Sequence, residues 1–470
     1  MTAMMRARVL AGLALFVGAA SCVRAMTEPQ GCVTNADCVD GMTCQHEPNH
    51  DVCYSWGGGC VCRDALYCTQ NSDCTEGRLC NAATSTCTAR EAIPNNCGDG
   101  QLGASEGCDD GNTAGGDGCS ATCQPEAGYH CHGSPTVCAQ ALLYAGSGSG
   151  VYQLGVRFDG TLGQLAPPAL ADVGIDGLAT TRDARFLYAV NAAKKSIFQL
   201  AIQPDGTLAP LSPSALTFTD AAPSWIGIDS SGRFAYAIDK LQGQVLRLAI
   251  AQDGHLTRLD PPLTVPATAP LLGGNFTLLG LASPAAPRLY VADQQCNGAC
   301  LFSYAIDDTG LLTASPALGL GGYVYLLTMD PSGHALFATL DGYKLNRYAI
   351  TDNGVGPALA TLQLKQTAND LVVHPSGSTL YQASRSGNAV FQYGIAGDRG
   401  LAPLAPASVR VESGLTRLAI DPDGRYLYAR SDSDTIHQFA IADGGALTSL
   451  GAASMRLSGY DEPMVLVRPR

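Results

Sequence analysis

One short phrase recurs along most of the chain. An aromatic residue sits inside an L-Y-A-like run at Tyr144, Tyr188, Tyr236, Tyr290, Phe337, Tyr381 and Tyr428, at intervals of 44, 48, 54, 47, 44 and 47 residues. Each copy is followed by a second run: VYQLGV (151–156), IFQLAI (197–202), VLRLAI (245–250), LFSYAI (301–306), LNRYAI (345–350), VFQYGI (390–395) and IHQFAI (436–441). A turn then follows at Asp159-Gly160, Asp205-Gly206, Asp253-Gly254, Thr309-Gly310 and Asn353-Gly354, with looser forms near Gly400 and Gly444. Alternating β-branched and aromatic residues read as strands, and Asp-Gly or Asn-Gly readily takes the positive φ of a tight hairpin. A further run ahead of each aromatic, such as LAI (418–420) before DPDG, supplies another strand. Four short strands in every period of about 40–50 residues describe a propeller blade. The sequence predicts an all-β chain with a seven-bladed β-propeller over 141–470. Dense turns and two-residue alternation exclude a helical solenoid.

The C-terminus supports the same reading. Tyr144 has no such strand before it, because Cys138 ends the preceding module, whereas the chain finishes EPMVLVRPR (462–470). That orphan strand is expected to complete the blade of Tyr144. Closing the ring in this way removes an open sheet edge.

Ahead of the repeats the chain changes character. Arg6 and Arg8 precede the uncharged stretch VLAGLALFVGAA (9–20), which is too short to span a bilayer and reads as the core of a signal peptide. Small residues then lead to Cys22. The arrangement resembles a bacterial lipoprotein signal, with 1–21 removed, Cys22 acylated and 22–31 serving as linker and lipid anchor; the alternative is ordinary cleavage near Ala25. Cysteine arithmetic favours lipidation. Of 19 cysteines, Cys22 leaves 18, sixteen of them in 32–138 and the remaining pair at Cys296 and Cys300. Even sets suit disulfides in an oxidising compartment. Cys296 and Cys300 flank Asn297-Gly298, a chain-reversing dipeptide, and are expected to pair with each other.

The region 32–138 divides into 32–62, 68–87 and 97–138. The first two blocks share a C-x5-C-x5-C spacing and the phrases NADC and NSDC. The third, CGDGQLGASEGCDDGNTAGGDGCSATCQPEAGYHCHGSPTVC, resembles the cysteine-rich repeat of secreted myxobacterial proteins. Such short polar segments bury too little apolar surface to order themselves, so disulfides are preferred over zinc despite His46, His50, His130 and His132. Within CDDGNTAGGDGC, the oxygens of Asp109, Asp110, Asn112 and Asp117 could hold Ca²⁺ or simply form turns. No other cofactor is expected.

Charge is unevenly spread. The chain carries a net −13, yet residues 22–138 alone hold 15 acidic and 4 basic residues, and no lysine precedes Lys194. No cationic cluster suited to phosphates occurs, so nucleic acid is not an expected partner.

The phrases HPSGSTLYQAS (374–384) and DPDGRYLYAR (421–430) resemble the seven-bladed lactonase-type (YVTN-repeat) propellers, over nearly all of 141–470. The resemblance implies that fold and, for sugar-phosphate lactonases, a G-P-R-H stretch before the H-P-x-G turn and N-E after its Tyr. Here those places hold Thr367, Ala368, Asn369 and Asp370, then Ser384 and Arg385. His374 keeps its place but reads as a turn residue. No catalytic residue is assigned, and the substitutions lean away from enzymatic function. No G-x-S-x-G, H-E-x-x-H or P-loop motif occurs.

The expected function is an exported, lipid-anchored cell-envelope protein whose propeller binds or scaffolds a protein or carbohydrate, touching the membrane only through its lipid. The alternative is a lactonase-like hydrolase. Loops entering the first strands and following the second strands should line a funnel, with Trp225, Asn275, Tyr323, Asp370, Arg385 and Asp461 as ligand-binding candidates. Lys194, Lys195, Asp239, Asp293, Asp341 and Asp434 occupy the same loops.

Overall fold

The computed structural model describes residues 42–43, 63–64, 79–81, 86–88, 96–103, 105–132, 136–266, 278–293, 299–396, 400–433, 435–454 and 462–468. The chain divides into two compact units, 1–95 and 96–470. In the first, Met42–Thr43 pairs with Arg63–Asp64 and Leu79–Asn81 with Thr86–Thr88, both antiparallel. Cys22 and Cys296 lie outside the described residues.

The second unit is a seven-bladed β-propeller, and among its described residues every regular element is a strand. Blade 1 takes its innermost strand from the C-terminus, in the order Met464–Val467, Ala141–Ser147, Gly150–Val156, Leu162–Ala169. Val465 stands opposite Tyr144 and Leu466 opposite Leu143, so the closure read from the orphan strand holds in register. Blade 2 runs Gly177–Thr180, Phe186–Asn191, Ser196–Ile202, Leu208–Thr217. Blade 3 runs Pro223–Ile228, Phe234–Asp239, Gln244–Ile250, Leu256–Thr264. Blade 4 comprises Leu278–Ala282, Arg288–Asp293 and Cys300–Ile306, with its fourth strand split into Leu312–Ala314 and Leu318–Gly319. Blade 5 runs Val324–Met329, Ala335–Leu340, Lys344–Thr351, Gly354–Gln363. Blade 6 runs Asp370–Val373, Thr379–Ser384, Ala389–Ile395, Leu401–Arg410. Blade 7 runs Leu415–Ile420, Tyr426–Ser431, Thr435–Ile441, Leu447–Ser454. Each first strand packs beside the next, and 464–467 touches both 415–420 and 177–180.

The repeated phrase encodes more than strands. Its aromatic is fully buried in every blade. In five blades its hydroxyl donates to the carbonyl of the turn glycine in the next blade: Tyr144 to Gly206 (2.8 Å), Tyr188 to Gly254 (2.7 Å), Tyr236 to Gly310 (3.1 Å), Tyr381 to Gly445 (2.7 Å) and Tyr428 to Gly160 (2.8 Å). Burial pushes these phenols above their ordinary titration range and keeps them donors. Gly254 shows why the turn needs glycine: φ is +87°, and a Cβ would lie 2.3 Å from Cδ1 of Phe186 in the preceding blade.

The glutamine of the second run supplies another link. Oε1 of Gln153, Gln199, Gln392 and Gln438 accepts the N–H of Leu208, Leu256, Leu447 and Leu162 respectively, each at 2.6 Å and each at the start of the next blade's fourth strand. On the other side, Nε2 donates to the carbonyl of Pro167, Pro213 or Pro406 at a bulge in its own blade (2.5, 3.1 and 2.9 Å). These links meet buried backbone groups that a blade cannot satisfy alone.

The third cysteine block belongs to the same compact unit as the ring. It holds the disulfides Cys97–Cys123, Cys108–Cys119 and Cys131–Cys138. Its last hairpin places Val137 and Ala139 against Leu142 and Leu165 of blade 1. Gly155 admits this contact, since a Cβ there would come within 2.8 Å of Ala139. His132 Nδ1 lies 3.0 Å from Asp205 on the blade 2 turn. Cys300 is also disulfide-bonded, its partner lying outside the described residues.

Candidate ligand-binding face

In an antiparallel four-stranded blade, connections alternate between the two ends. Loops entering first strands and loops joining second to third strands therefore share one face of the ring, and the remaining hairpins share the other. Register fixes the level at which first-strand residues meet the channel. Gly177, Trp225, Leu279, Leu326, Asp370 and Arg417 lie opposite Val190, Ile238, Ala292, Thr339, Ala383 and Arg430, and each of those follows the recurrent aromatic by two positions. The fold thus brings Trp225 and Asp370 to one tier and adds Arg417 to them.

Trp225 is half-buried against the channel wall. Two glycines make room for its indole: a Cβ on Gly227 would lie 2.4 Å from Cη2, and one on Gly280 of the neighbouring blade 2.6 Å from Cε3. Asp370 serves the scaffold. Its Oδ1 accepts Leu371 N–H at 2.9 Å and its Oδ2 accepts Leu418 N–H of blade 7 at 2.8 Å, joining two inner strands. Arg417 is half-buried and donates from Nη1 to Asn369 O at 3.5 Å.

Lys240 follows the second strand of blade 3 into this region. Burial lowers its ammonium pKa below the ordinary lysine value, Arg417 lowers it further, and Asp176 opposes both. Arg417 of blade 7 and Asp176, just before blade 2, therefore each lie within electrostatic range of Lys240. No hydrogen bond or ion pair holds Lys240 among the described residues. Asp176 is exposed, and its Oδ2 accepts Ala192 N–H at 2.7 Å.

Blade 5 brings aromatics to the same face. Tyr323, Tyr325 and Tyr343 are 59%, 51% and 52% exposed. With Leu241 of blade 3 they make four of the six large apolar side chains most exposed among the described residues, and the other two, Phe158 and Leu311, belong to hairpins of the opposite face. Tyr323 is fixed by Asp341, whose N–H donates to Tyr323 O at 2.7 Å and whose Oδ1 accepts Tyr323 N–H at 3.0 Å.

Several polar loop residues do other work. Asp239 is buried, and its carboxylate accepts Ala222, Leu241 and Gln242 N–H at 3.1, 2.8 and 3.2 Å. It caps a turn. Arg385 is exposed and bridges blades through Asp432 Oδ2 at 2.8 Å. His374 lies on the opposite face. Ser376 N–H donates to its Nδ1 at 3.1 Å and its Nε2 faces Gly424 O at 2.9 Å, so both ring nitrogens hold turns together. Asn275, Asp434 and Asp461 lie outside the described residues.

The acidic loop of the third cysteine block also separates into roles. Asp109 is buried, and its two oxygens accept the N–H groups of Gly98, Asp99, Gly100 and Gly111 at 2.9, 3.2, 2.9 and 2.9 Å. Four donors saturate a carboxylate. Asn112 turns its Nδ2 toward Asp110 and Asp117 at 3.3 and 3.0 Å, a donor where a cation would need oxygen. Asp110 and Asp117 stay near each other; burial first, then that neighbouring charge, raises the Asp110 pKa.

Sequence reading passed over Asp176, Lys240, Arg417, Tyr325 and Tyr343. A charge inside the apolar first-strand run LTRLAI was a usable signal for Arg417. The other four sit in or beside turns, where polar and aromatic residues carry no period.

No protein-family model and no curated protein matches the chain. Solved structures share its fold. A periplasmic gluconolactonase of Pseudomonas aeruginosa is 18% identical, with a TM-score of 0.56, over 70% of this chain and 99% of that one. A Bacteroides uniformis protein provisionally assigned as a 6-phosphogluconolactonase is 19% identical, with a TM-score of 0.60, over 70% and 99%. A Lactobacillus plantarum protein is 19% identical, with a TM-score of 0.58, over 70% and 98%. At this identity the likeness is one of fold alone, a seven-bladed β-propeller.

Proposed function

We propose that the protein is an exported, lipid-anchored binding module of the cell envelope, and that the loop face bearing Trp225 and the blade 5 tyrosines takes a saccharide. The observation that carries this reading is the gathering of Tyr323, Tyr325 and Tyr343 on one face, each about half exposed. Exposed aromatics on a rigid ring offer flat apolar surface with a polar rim, which suits the C–H face and hydroxyls of a sugar. The three disulfides support export, because such bonds persist in oxidising compartments. Titration calorimetry with cello-, galacto- and galacturono-oligosaccharides tests the reading. Tyr323→Ala with Tyr343→Ala should weaken binding roughly tenfold, from about 0.5–1.5 kcal/mol per aromatic contact. Binding unaffected by both changes would remove the platform from the reading. Mass spectrometry of the mature N-terminus tests the anchor, and Cys22→Ser should release the protein from membranes.

A second reading, hydrolysis of a sugar lactone, is favoured by the fold shared with a gluconolactonase and by charged groups at the channel mouth. A lactone-hydrolysis assay with gluconolactone and 6-phosphogluconolactone tests it. Turnover abolished by Lys240→Met would replace the binding reading.

A further inference from the structure

We infer that the opposite face of the ring holds a second site, a cleft between blades 2 and 3 in which Arg182, Arg185 and Arg233 bind a phosphate monoester carried by a sugar or a lipid headgroup. The cleft has a volume of about 280 Å³. Its walls are the hairpin joining the first two strands of blade 2, the matching hairpin of blade 3, and the turn ahead of the fourth strand of blade 3. All three are hairpins of the face away from Trp225 and the blade 5 tyrosines, so this site stands apart from the saccharide reading.

Blade 3 departs from its neighbour at this cleft. Arg185 and Arg233 hold equivalent places, just before the second strands of blades 2 and 3. Each guanidinium lies over the ring that follows it, with Cζ 4.9 Å from the Phe186 centroid and 5.4 Å from that of Phe234. Arg233 Nη2 meets Asp308 Oδ1 of the blade 4 turn at 2.9 Å. In the blade 3 turn the same place belongs to Gln252, since Ala251 N–H donates to His255 O as Asp307 N–H does to Leu311 O. A neutral amide stands where the next blade has a carboxylate, and among the described residues the Arg185 guanidinium has no ion pair. Arg182 crosses blade 3, donating from Nη1 to Ser230 O at 3.1 Å and from Nη2 to Pro284 O of blade 4 at 2.5 Å. Two neutral carbonyls fix that guanidinium and leave its charge in place.

Asp183 also lines the cleft, its Oδ1 accepting Arg185 N–H at 3.2 Å. Asp229 serves the N–H groups of Ser231 and Phe234, both at 2.9 Å, and Asp253 pairs with His255 at 3.2 Å. The Asp308 side chain is 99% exposed, so water screens its pair with Arg233 and the guanidinium can turn to a ligand. Three guanidiniums thus share the cleft with one carboxylate among its lining residues. Planar guanidinium forks match phosphate oxygens, and a phosphate monoester brings up to two negative charges. The cluster is invisible in sequence because Arg233 stands a whole blade away from the other two.

Mature protein in uncharged detergent should be titrated calorimetrically with glucose 6-phosphate, with glucose, and with water-soluble dibutyryl phosphatidic acid. At least one of the two phosphate esters should bind with a Kd of about 1 mM or tighter, roughly tenfold tighter than glucose. That binding should weaken as salt rises. The tighter ester names the source, sugar or lipid. Arg182→Gln with Arg185→Gln should weaken ester binding by about tenfold or more through the lost charged hydrogen bonds. Gln252→Asp gives Arg185 the partner that Arg233 has, and it should weaken binding by roughly threefold or more. These exposed changes should leave the melting temperature of the unliganded protein unaltered. Tyr323→Ala with Tyr343→Ala should leave ester binding unaltered. Esters that bind no tighter than glucose would overturn the inference. So would ester binding that survives the arginine changes, or that is lost with the tyrosines instead.

Discussion

Two arcs of the ring solve the same packing problem differently. Blade pairs 6/7, 7/1, 1/2 and 2/3 are each joined by a buried tyrosine hydroxyl and a buried glutamine, and pair 3/4 by the tyrosine alone. Pair 4/5 has neither. There the carbonyl of Gly354 accepts from Thr351 Oγ1 of its own blade at 3.1 Å, Ser303 stands where the glutamine would be, and the buried hydroxyl of Tyr290 has no partner among the described residues. At pair 5/6 the aromatic is Phe337, and Arg347 Nη1 reaches Ala396 O at 3.3 Å. The ring closes regardless, because apolar packing bridges blades 4 and 5 through Tyr290, Leu301, Leu336 and Tyr348. Polar links thus refine a closure that burial of apolar surface drives. The sparsely linked arc also carries the exposed tyrosines of blade 5.

The largest effect is expected at the seam where the chain ends meet. Arg430 is wholly buried, with Nη2 3.1 Å from Glu462 Oε2 and Nη1 2.5 Å from Gly146 O. Glu462→Ala takes the carboxylate from that buried guanidinium and should cost about 3–5 kcal/mol in denaturant unfolding. A loss under 1 kcal/mol would show that water reaches the seam.

Next is Gln199→Leu, which leaves Leu256 N–H and Pro213 O unmet and should cost about 2–4 kcal/mol. Tyr188→Phe removes one donor from a buried carbonyl and should cost about 1–2 kcal/mol, whereas Tyr290→Phe should be neutral or slightly stabilising. If those two tyrosine variants lost equal stability, the distinction between the arcs would fail.

The smallest effect belongs to Lys240. Its folded pKa is depressed, so the charged form is penalised by folding at neutral pH; the penalty falls as pH rises through the folded pKa and is gone above the unfolded value of 10.5. Lys240→Met should raise the melting temperature slightly at pH 7, and the gain should vanish above pH 10.5. A gain independent of pH would point to packing.

Blade number, strand order and the closing strand were legible because each rests on a local pattern repeated seven times. Two-residue alternation declares a strand, and Asp-Gly declares its turn. Those rules act within a few residues, so one sequence displays them openly. The alternating aromatic and the glutamine were visible too, but their partners lie 55–66 residues away in pairs such as Gln153–Leu208 and Tyr188–Gly254. Nothing local tells a linking glutamine from a solvated one.

The candidate site was less legible for the same reason. Trp225 was visible in the sequence as a candidate, yet the glycines that seat it, Gly227 and Gly280, belong to two different blades. Asp370 read as a ligand group, because sequence shows a carboxylate and hides the N–H groups it already serves. Lys240, Arg417 and Asp176 are scattered over some 240 positions, and Arg417 and Asp176 come within electrostatic range of Lys240 only when the blades meet around one axis. The sequence by itself determined the ring, since period and turn chemistry are properties of contiguous residues. Only the tertiary structure decided which charges face one another, since ring closure brings together groups that no local rule relates.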